Sequence, residues 1–105
     1  MQEQPLHFKT IAEVASLIET KQLSPVELTE AILGRIESVD GQYKSYATVM
    51  ADQAMASARA AETEILAGRY SGPLHGVPIA VKDLCFTKWV RTMGGTQVLR
   101  DHVPD

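Results

Sequence analysis

Gly72-Pro73-Leu74-His75-Gly76-Val77-Pro78-Ile79-Ala80-Val81-Lys82-Asp83 is the stretch on which the reading of this chain turns. Glycine and proline punctuate its first half, which predicts a loop. Ile79 to Lys82 then predicts a short apolar strand that ends on a lysine and an aspartate. Side chains alternate along a strand, so Ile79 and Val81 would share one side and Ala80 and Lys82 the other. The small side chain of Ala80 leaves room beside Lys82. A lysine that ends a buried strand is partly desolvated, which disfavours its charged form and makes the amine a usable base. By spacing alone the plainer reading is the better one: a strand-end lysine that reaches water.

Upstream, the pattern is helical. Residues 1 to 9 read as a loose lead-in. Thr10 can cap a helix whose Ile11, Val14, Ala15 and Ile18 form a stripe at helical spacing. Ser24-Pro25-Val26-Glu27 is a stronger start signal, with a cap hydroxyl, a proline at the first helical position and a glutamate at the third. From it Leu28, Ala31, Ile32, Ile36 and Val39 make one face, and Asp40-Gly41 is expected to end the helix. Tyr46-Ala47-Thr48-Val49-Met50 predicts a second short strand. A third helix is expected from about Ala51 to Ala67, with Ala54, Ala58, Ala61 and Ile65 on one face and Gly68 as its C-terminal cap. After Asp83 a long loop runs through Gly94-Gly95, and a helical turn is expected near Thr96. Packing against a neighbour accounts for all three helices, whose polar faces suggest no ligand.

The chain has 105 residues, 45% of them hydrophobic, and a formal net charge of -3. These values describe one ordinary globular domain. No basic stripe points to direct nucleic-acid binding. No apolar run approaches membrane-spanning length, and Met1 to Pro5 lacks the features of a secretory signal. Cys85 is the lone cysteine, so no internal disulfide framework exists, and a cytoplasmic location is expected. His7, His75, His102 and Cys85 lack metal-ligand spacing. Gly72 and Gly76 open no phosphate loop, because no Gly-Lys-Ser/Thr follows. Cys85 itself reads as a buried, inert thiol.

Gly76-Val77-Pro78-Ile79-Ala80-Val81-Lys82-Asp83, followed by Val90-Arg91-Thr92-Met93-Gly94-Gly95-Thr96, resembles the lysine segment of the amidase signature family. Ser24-Pro25-Val26-Glu27-Leu28 and Ser45-Tyr46-Ala47-Thr48-Val49 are similar to that family's N-terminal region, in the same order and spacing. The resemblance runs from about Ile11 onward and implies an α/β fold, a mixed β-sheet core covered by helices. Three helices and two short strands would then be one edge of a larger structure, since two strands alone make no stable sheet. Residues 1–105 read as the N-terminal part of a single, incomplete amidase domain.

The resemblance also implies chemistry. The family hydrolyses carboxylic amides with a Ser-cis-Ser-Lys triad, without metal or organic cofactor, and by motif match its lysine is Lys82. A serine hydroxyl is a weak nucleophile and needs an adjacent base. A neutral lysine, relayed through a second serine, can take that proton, as in other Ser-Lys variants of the serine triad. Gly76, Pro78 and Asp83 are expected in motif or supporting roles rather than as catalysts. The family's serines lie downstream of the lysine, whereas Ser16, Ser24, Ser38, Ser45, Ser57 and Ser71 all precede it. The 105 residues alone are therefore expected to hold a base without a nucleophile.

Three readings stay open. The first is an amidase acting on a small amide substrate. The second is the amidase subunit of a glutamyl-tRNA(Gln)-type amidotransferase, reaching tRNA and ATP through partner subunits. The third is a non-catalytic, truncated module whose exposed edges favour self-association or a homo-oligomer. One departure bears on all of them: Trp89 stands where the family usually has glycine. If that position needs a positive φ, tryptophan there is strained by about 1–3 kcal/mol, as in a degenerate or altered copy of an amidase.

Overall fold

Three α-helices form close to where the capping residues predict them. In a computed structural model of the chain, the described residues are 4–95 and 101–105. They fall into two units, Met1–Ser45 with Met50–Pro78, and Tyr46–Val49 with Ile79–Asp105.

Among the described residues, the helices all lie in the first unit. α1 spans Ile11–Glu19. Thr10 Oγ1 accepts from the Glu13 N–H at 3.1 Å, and the Glu13 carboxylate accepts in return from the Thr10 N–H at 3.1 Å. This reciprocal pair satisfies two of the amides that a helix start leaves bare. Val14, Ala15 and Ile18 are buried as the stripe requires. Ile11, expected on the same stripe, is instead 52% exposed, because it occupies the first helical position, at the edge of the packed face. The helix ends in a Schellman arrangement: Gln22 N–H donates to Leu17 O and Lys21 N–H to Ile18 O, with Lys21 at φ 62.

α2 spans Pro25–Tyr43, and the Ser24 hydroxyl accepts from the Glu27 N–H at 3.1 Å. It runs past Asp40-Gly41, where the sequence was expected to stop it. The physical reason is that Asp40 turns its own carboxylate into a terminator one turn later, accepting from the Ser45 N–H at 2.6 Å while Lys44 takes the left-handed φ of 53. α3 spans Ala51–Leu66 and buries Ala58, Ala61 and Ile65. Gly68, at φ 84, closes it as a second Schellman end, with Arg69 N–H donating to Glu64 O and Gly68 N–H to Ile65 O.

The core of this unit is Val14 and Ile18 from α1, Leu23, Leu28 from α2 and Ile65 from α3. Leu6, Leu17, Ile32, Tyr70 and Val77 pack around it. Leu6 sits on a 3-10 turn, Leu6–Phe8, so part of the expected loose lead-in is folded down onto the core. Each fully buried aliphatic side chain contributes about 1.5–3 kcal/mol through area removed from water.

The two expected strands are not formed among the described residues. Tyr46 to Met50 and Ile79 to Lys82 have no regular structure, and the one bridge is the isolated antiparallel pair Thr87–Val90. β-forming composition alone makes no strand, because a strand exists only through ladder hydrogen bonds to a neighbour. Among the described residues the architecture is helical, with three α-helices, and it is the expectation of two short strands that is corrected. The helical turn expected near Thr96 lies outside the described residues.

In the second unit the organising residue is Thr92, 2% exposed. Its N–H donates to His102 O at 2.8 Å, and its hydroxyl lies 3.3 Å from Val90 O and 3.4 Å from Cys85 O. Trp89 N–H donates to Pro104 O at 2.8 Å, and the Arg91 guanidinium donates through Nη2 to Ala47 O at 3.1 Å. Backbone pairing rather than an apolar core holds these loops.

Candidate functional site

The lysine segment begins in a turn that glycine alone can make. Val77 N–H donates to Leu74 O at 3.1 Å and His75 N–H to Gly72 O at 3.0 Å. Gly76 has φ 84, and a Cβ built on it would stand 2.6 Å from Pro25 Cγ, 3.0 Å from Pro25 Cβ and 3.6 Å from Ile65 Cδ1. The missing side chain lets the loop lie directly on the start of α2 and the end of α3. Pro78, half-buried, follows two residues later.

His75, to which the sequence pattern assigned no role, clasps the same loop. Its Nδ1 accepts from the Ser71 N–H at 3.0 Å, and Nε2 lies 3.3 Å from the Glu64 carboxylate on α3. An imidazole that accepts at Nδ1 carries its proton on Nε2, which suits donation to Glu64. The ring stacks on Tyr70 at a centroid distance of 6.1 Å. The Gly72-Pro73 loop, six residues past the end of α3, was the available signal. A shallow depression on this loop is lined by Ser71, Gly72, Pro73, Leu74 and His75.

Lys82 lies in the second unit, at the end of the extended run and the start of a turn closed by Cys85 N–H donating to Lys82 O at 3.0 Å. Its side chain is exposed, and so are Ile79 at 75% and Val81 at 56%. The expected partial desolvation is therefore absent, for lack of a sheet to bury the run. Asp83 is tied down. Its Oδ1 accepts from the Met93 N–H at 2.9 Å and its backbone oxygen from the Gly94 N–H at 2.7 Å. Gly94 and Gly95 both have positive φ, 61 and 75. The two halves of the motif quoted from the sequence, around Lys82-Asp83 and around Thr92-Met93-Gly94, thus meet through Asp83. Cys85, expected to be buried, is exposed.

Trp89 has φ 65. It follows Lys88 in the turn between Thr87 and Val90, closed by Val90 N–H donating to Thr87 O at 3.0 Å. Lys88 does not share the positive φ, so the turn has the type II pattern, whose third position favours glycine. The Trp89 ring is 65% exposed, with the Lys88 ammonium 5.3 Å from its centroid. Position 89, where the resemblance leads one to expect glycine, thus has a backbone conformation that favours glycine.

The six serines all belong to the first unit and Lys82 to the second. Ser16 lies in α1, Ser24 caps α2, Ser38 lies in α2, Ser57 in α3, and Ser45 and Ser71 in loops. Among the described residues no group of three or more His, Cys, Asp or Glu side chains could hold a metal ion.

Comparison with known proteins decides the family, because the amidase family model matches residues 27–105. This chain belongs to the amidase family. AmiD of Mycobacterium tuberculosis (strain ATCC 25618 / H37Rv), a protein named as an amidase, is 54% identical over 94 residues, 90% of this chain and 20% of AmiD. The glutamyl-tRNA(Gln) amidotransferase A subunit of Thioalkalivibrio sulfidiphilus is 45% identical over 98 residues, 93% of this chain and 20% of that protein. Its counterpart in Moorella thermoacetica is 42% identical over 99 residues, 94% of this chain and again 20% of its own length. The amidase-family chain described here therefore spans about a fifth of the length of these curated relatives. No solved structure matches it.

Proposed function

We propose that this chain is the lysine-bearing, N-terminal part of an amidase domain that hydrolyses a small carboxylic amide. The observation that carries the reading is the family match over 27–105, which contains Lys82 within its Gly76 to Asp83 motif. In the proposed reaction, a serine supplied by polypeptide beyond these residues attacks the amide carbon. Its proton passes through a second serine to the neutral amine of Lys82 and then to the departing ammonia or amine. Water, activated by the same relay, hydrolyses the acyl-enzyme to acid and free serine. Gly76 and Pro78 shape the approach to the motif, and Asp83 ties it to the 93–94 backbone. The 105 residues by themselves are inactive, and no cofactor enters the scheme.

A cytoplasmic location is part of this reading. Among the described residues, no helix is long and apolar enough to cross a membrane. Substituting this sequence for the matching stretch of M. tuberculosis AmiD tests the whole. Amide turnover by that chimera, abolished by Lys82→Ala, is the expected result; turnover that survives Lys82→Ala sinks the assignment.

Two readings compete. The 45% identity to the amidotransferase relative supports a role in releasing ammonia from glutamine. The higher identity to AmiD over a similar length favours the amidase. Glutamine hydrolysis exceeding that of simple amides, in a chimera built on the amidotransferase relative, would reverse the order. The non-catalytic reading is supported by exposed Ile79 and Phe86, 75% and 72%. Concentration-dependent sedimentation of the isolated chain would favour it.

A further inference from the structure

His75 holds its loop by a hydrogen bond that a positive charge on the ring would break. Nδ1 accepts from the Ser71 N–H at 3.0 Å, while Nε2 lies 3.3 Å from the Glu64 carboxylate. Nδ1 is therefore the nitrogen with a lone pair, and a second proton, taken from solvent, must go there. Histidine side chains take up that proton between roughly pH 5 and 8. Two donors then face one another at Ser71, and the contact is lost.

The rest of the surroundings accept the cation. The Glu64 carboxylate changes from a hydrogen-bond acceptor to an ion-pair partner. The Tyr70 ring, stacked at 6.1 Å and 26°, offers a π face to positive charge. From α2 the residue against this loop is Pro25, beneath Gly76, which carries no charge. The other charged residues within three positions of these contacts are Glu62 on α3, half-buried, and Glu27 and Arg69, both exposed and weakened by solvent. Ser71 is itself exposed, so water replaces the imidazole and no buried donor is stranded. The His75 side chain, 12% exposed, stays against α3.

We propose that His75 is a pH-operated latch on the loop that leads into the Lys82 motif: neutral, it clasps Ser71, and protonated, it keeps Glu64 and lets Ser71 go. The turn closed by Val77 N–H on Leu74 O and the seat of Gly76 on Pro25 contain no titrating group, so only the head of the loop is released. The latch does not depend on the catalytic reading.

The test follows amide exchange in the 105-residue chain at about pH 7.5 and about pH 5, corrected for the intrinsic pH dependence of exchange, with the imidazole nitrogen resonances of His75 read alongside. Ser71 protection should fall about fivefold on acidification, and the Nδ1 resonance should move over the same pH interval. Val77 protection should hold. His75→Gln supplies an oxygen for Ser71 and an N–H for Glu64 without titrating, so Ser71 should stay level in it while His7 and His102 still take up protons. Should that variant fail to fold, the coincident Ser71 and Nδ1 changes in the parent, with Val77 level, decide in favour of the latch. Unchanged Ser71 protection in the parent overturns it, as does a proton found on Nδ1 at the higher pH. Loss of Ser71 and Val77 protection together means acid unfolding and removes the latch, and so does an acid response that persists in His75→Gln.

Discussion

A Cβ on Gly76 would stand 2.6 Å from Cγ of Pro25, so the glycine that opens the lysine motif and the proline that starts α2 pack in direct contact. The contact joins two sequence signals 51 positions apart that have separate local explanations, a turn and a helix start. Replacing Gly76 by alanine meets both a steric clash and a φ of 84. The expected loss is about 2–4 kcal/mol. Gly68 has the same φ but open space around it, so Gly68→Ala should cost only about 1 kcal/mol. Urea melts of the two variants followed by helix circular dichroism separate the steric part from the conformational one. Equal losses would refute the close contact.

Trp89→Gly should stabilise the second unit. The left-handed conformation at φ 65 costs a tryptophan about 1 kcal/mol relative to glycine. The exposed ring gives back little, since the Lys88 contact above it contributes about 0.5 kcal/mol at a surface site. Trp89→Val, with a β-branched side chain in the same turn, should be worse than the tryptophan. Amide exchange at Thr92, whose N–H donates to His102 O, reports the stability of this unit.

His75→Ala should loosen the loop that carries the motif. It removes the acceptor of the Ser71 N–H and the partner of Glu64, at a cost of about 1–2 kcal/mol. Glu64→Gln keeps an acceptor for the Nε2 proton and should cost less than half as much. Faster Ser71 exchange in His75→Ala but not in Glu64→Gln is the signature to look for.

Asp83→Ala leaves the half-buried Met93 N–H without its acceptor and should cost about 1–2 kcal/mol, with Met93 exchange accelerated about tenfold. Asp83→Asn retains an oxygen at that position and should recover most of the loss. If the alanine variant exchanges like the parent, the tie between the two motif halves is not one that the side chain makes.

Lys82→Ala should behave in the opposite way. The side chain is exposed, so its removal should shift stability by no more than about 0.5 kcal/mol. In the chimera with AmiD the same change should lower amide turnover at least about a thousandfold. A variant that melts early in the isolated chain would argue for a structural lysine instead.

Where local chemistry suffices, sequence and structure agree. Thr10 and Ser24 start their helices through their own hydroxyls, and Gly68 ends α3 because a left-handed residue is needed there. The glycine expected at position 89 is legible through the resemblance, and the φ of 65 supplies its reason. Asp40 does not stop α2 where the sequence suggests, because its carboxylate acts on Ser45, five residues away, rather than on its own turn. Cys85 is exposed against expectation because burial depends on what covers a loop, and the residues around it do not say.

By itself, then, the sequence determined the family, the helix starts, the helical stripes and the motif that contains Lys82, all of which rest on neighbours within one or two turns or on matched residue order. Tertiary structure alone decided that Gly76 lies against Pro25, that His75 bridges Ser71 and Glu64, and that Asp83 ties Lys82's loop to Met93 and Gly94. It also decided that Ile79 to Lys82 is not a strand here. The physical reason is the same in each case: a cap or a turn satisfies its own backbone, whereas a strand, a clasp or a close approach exists only when a distant piece of chain is present to complete it.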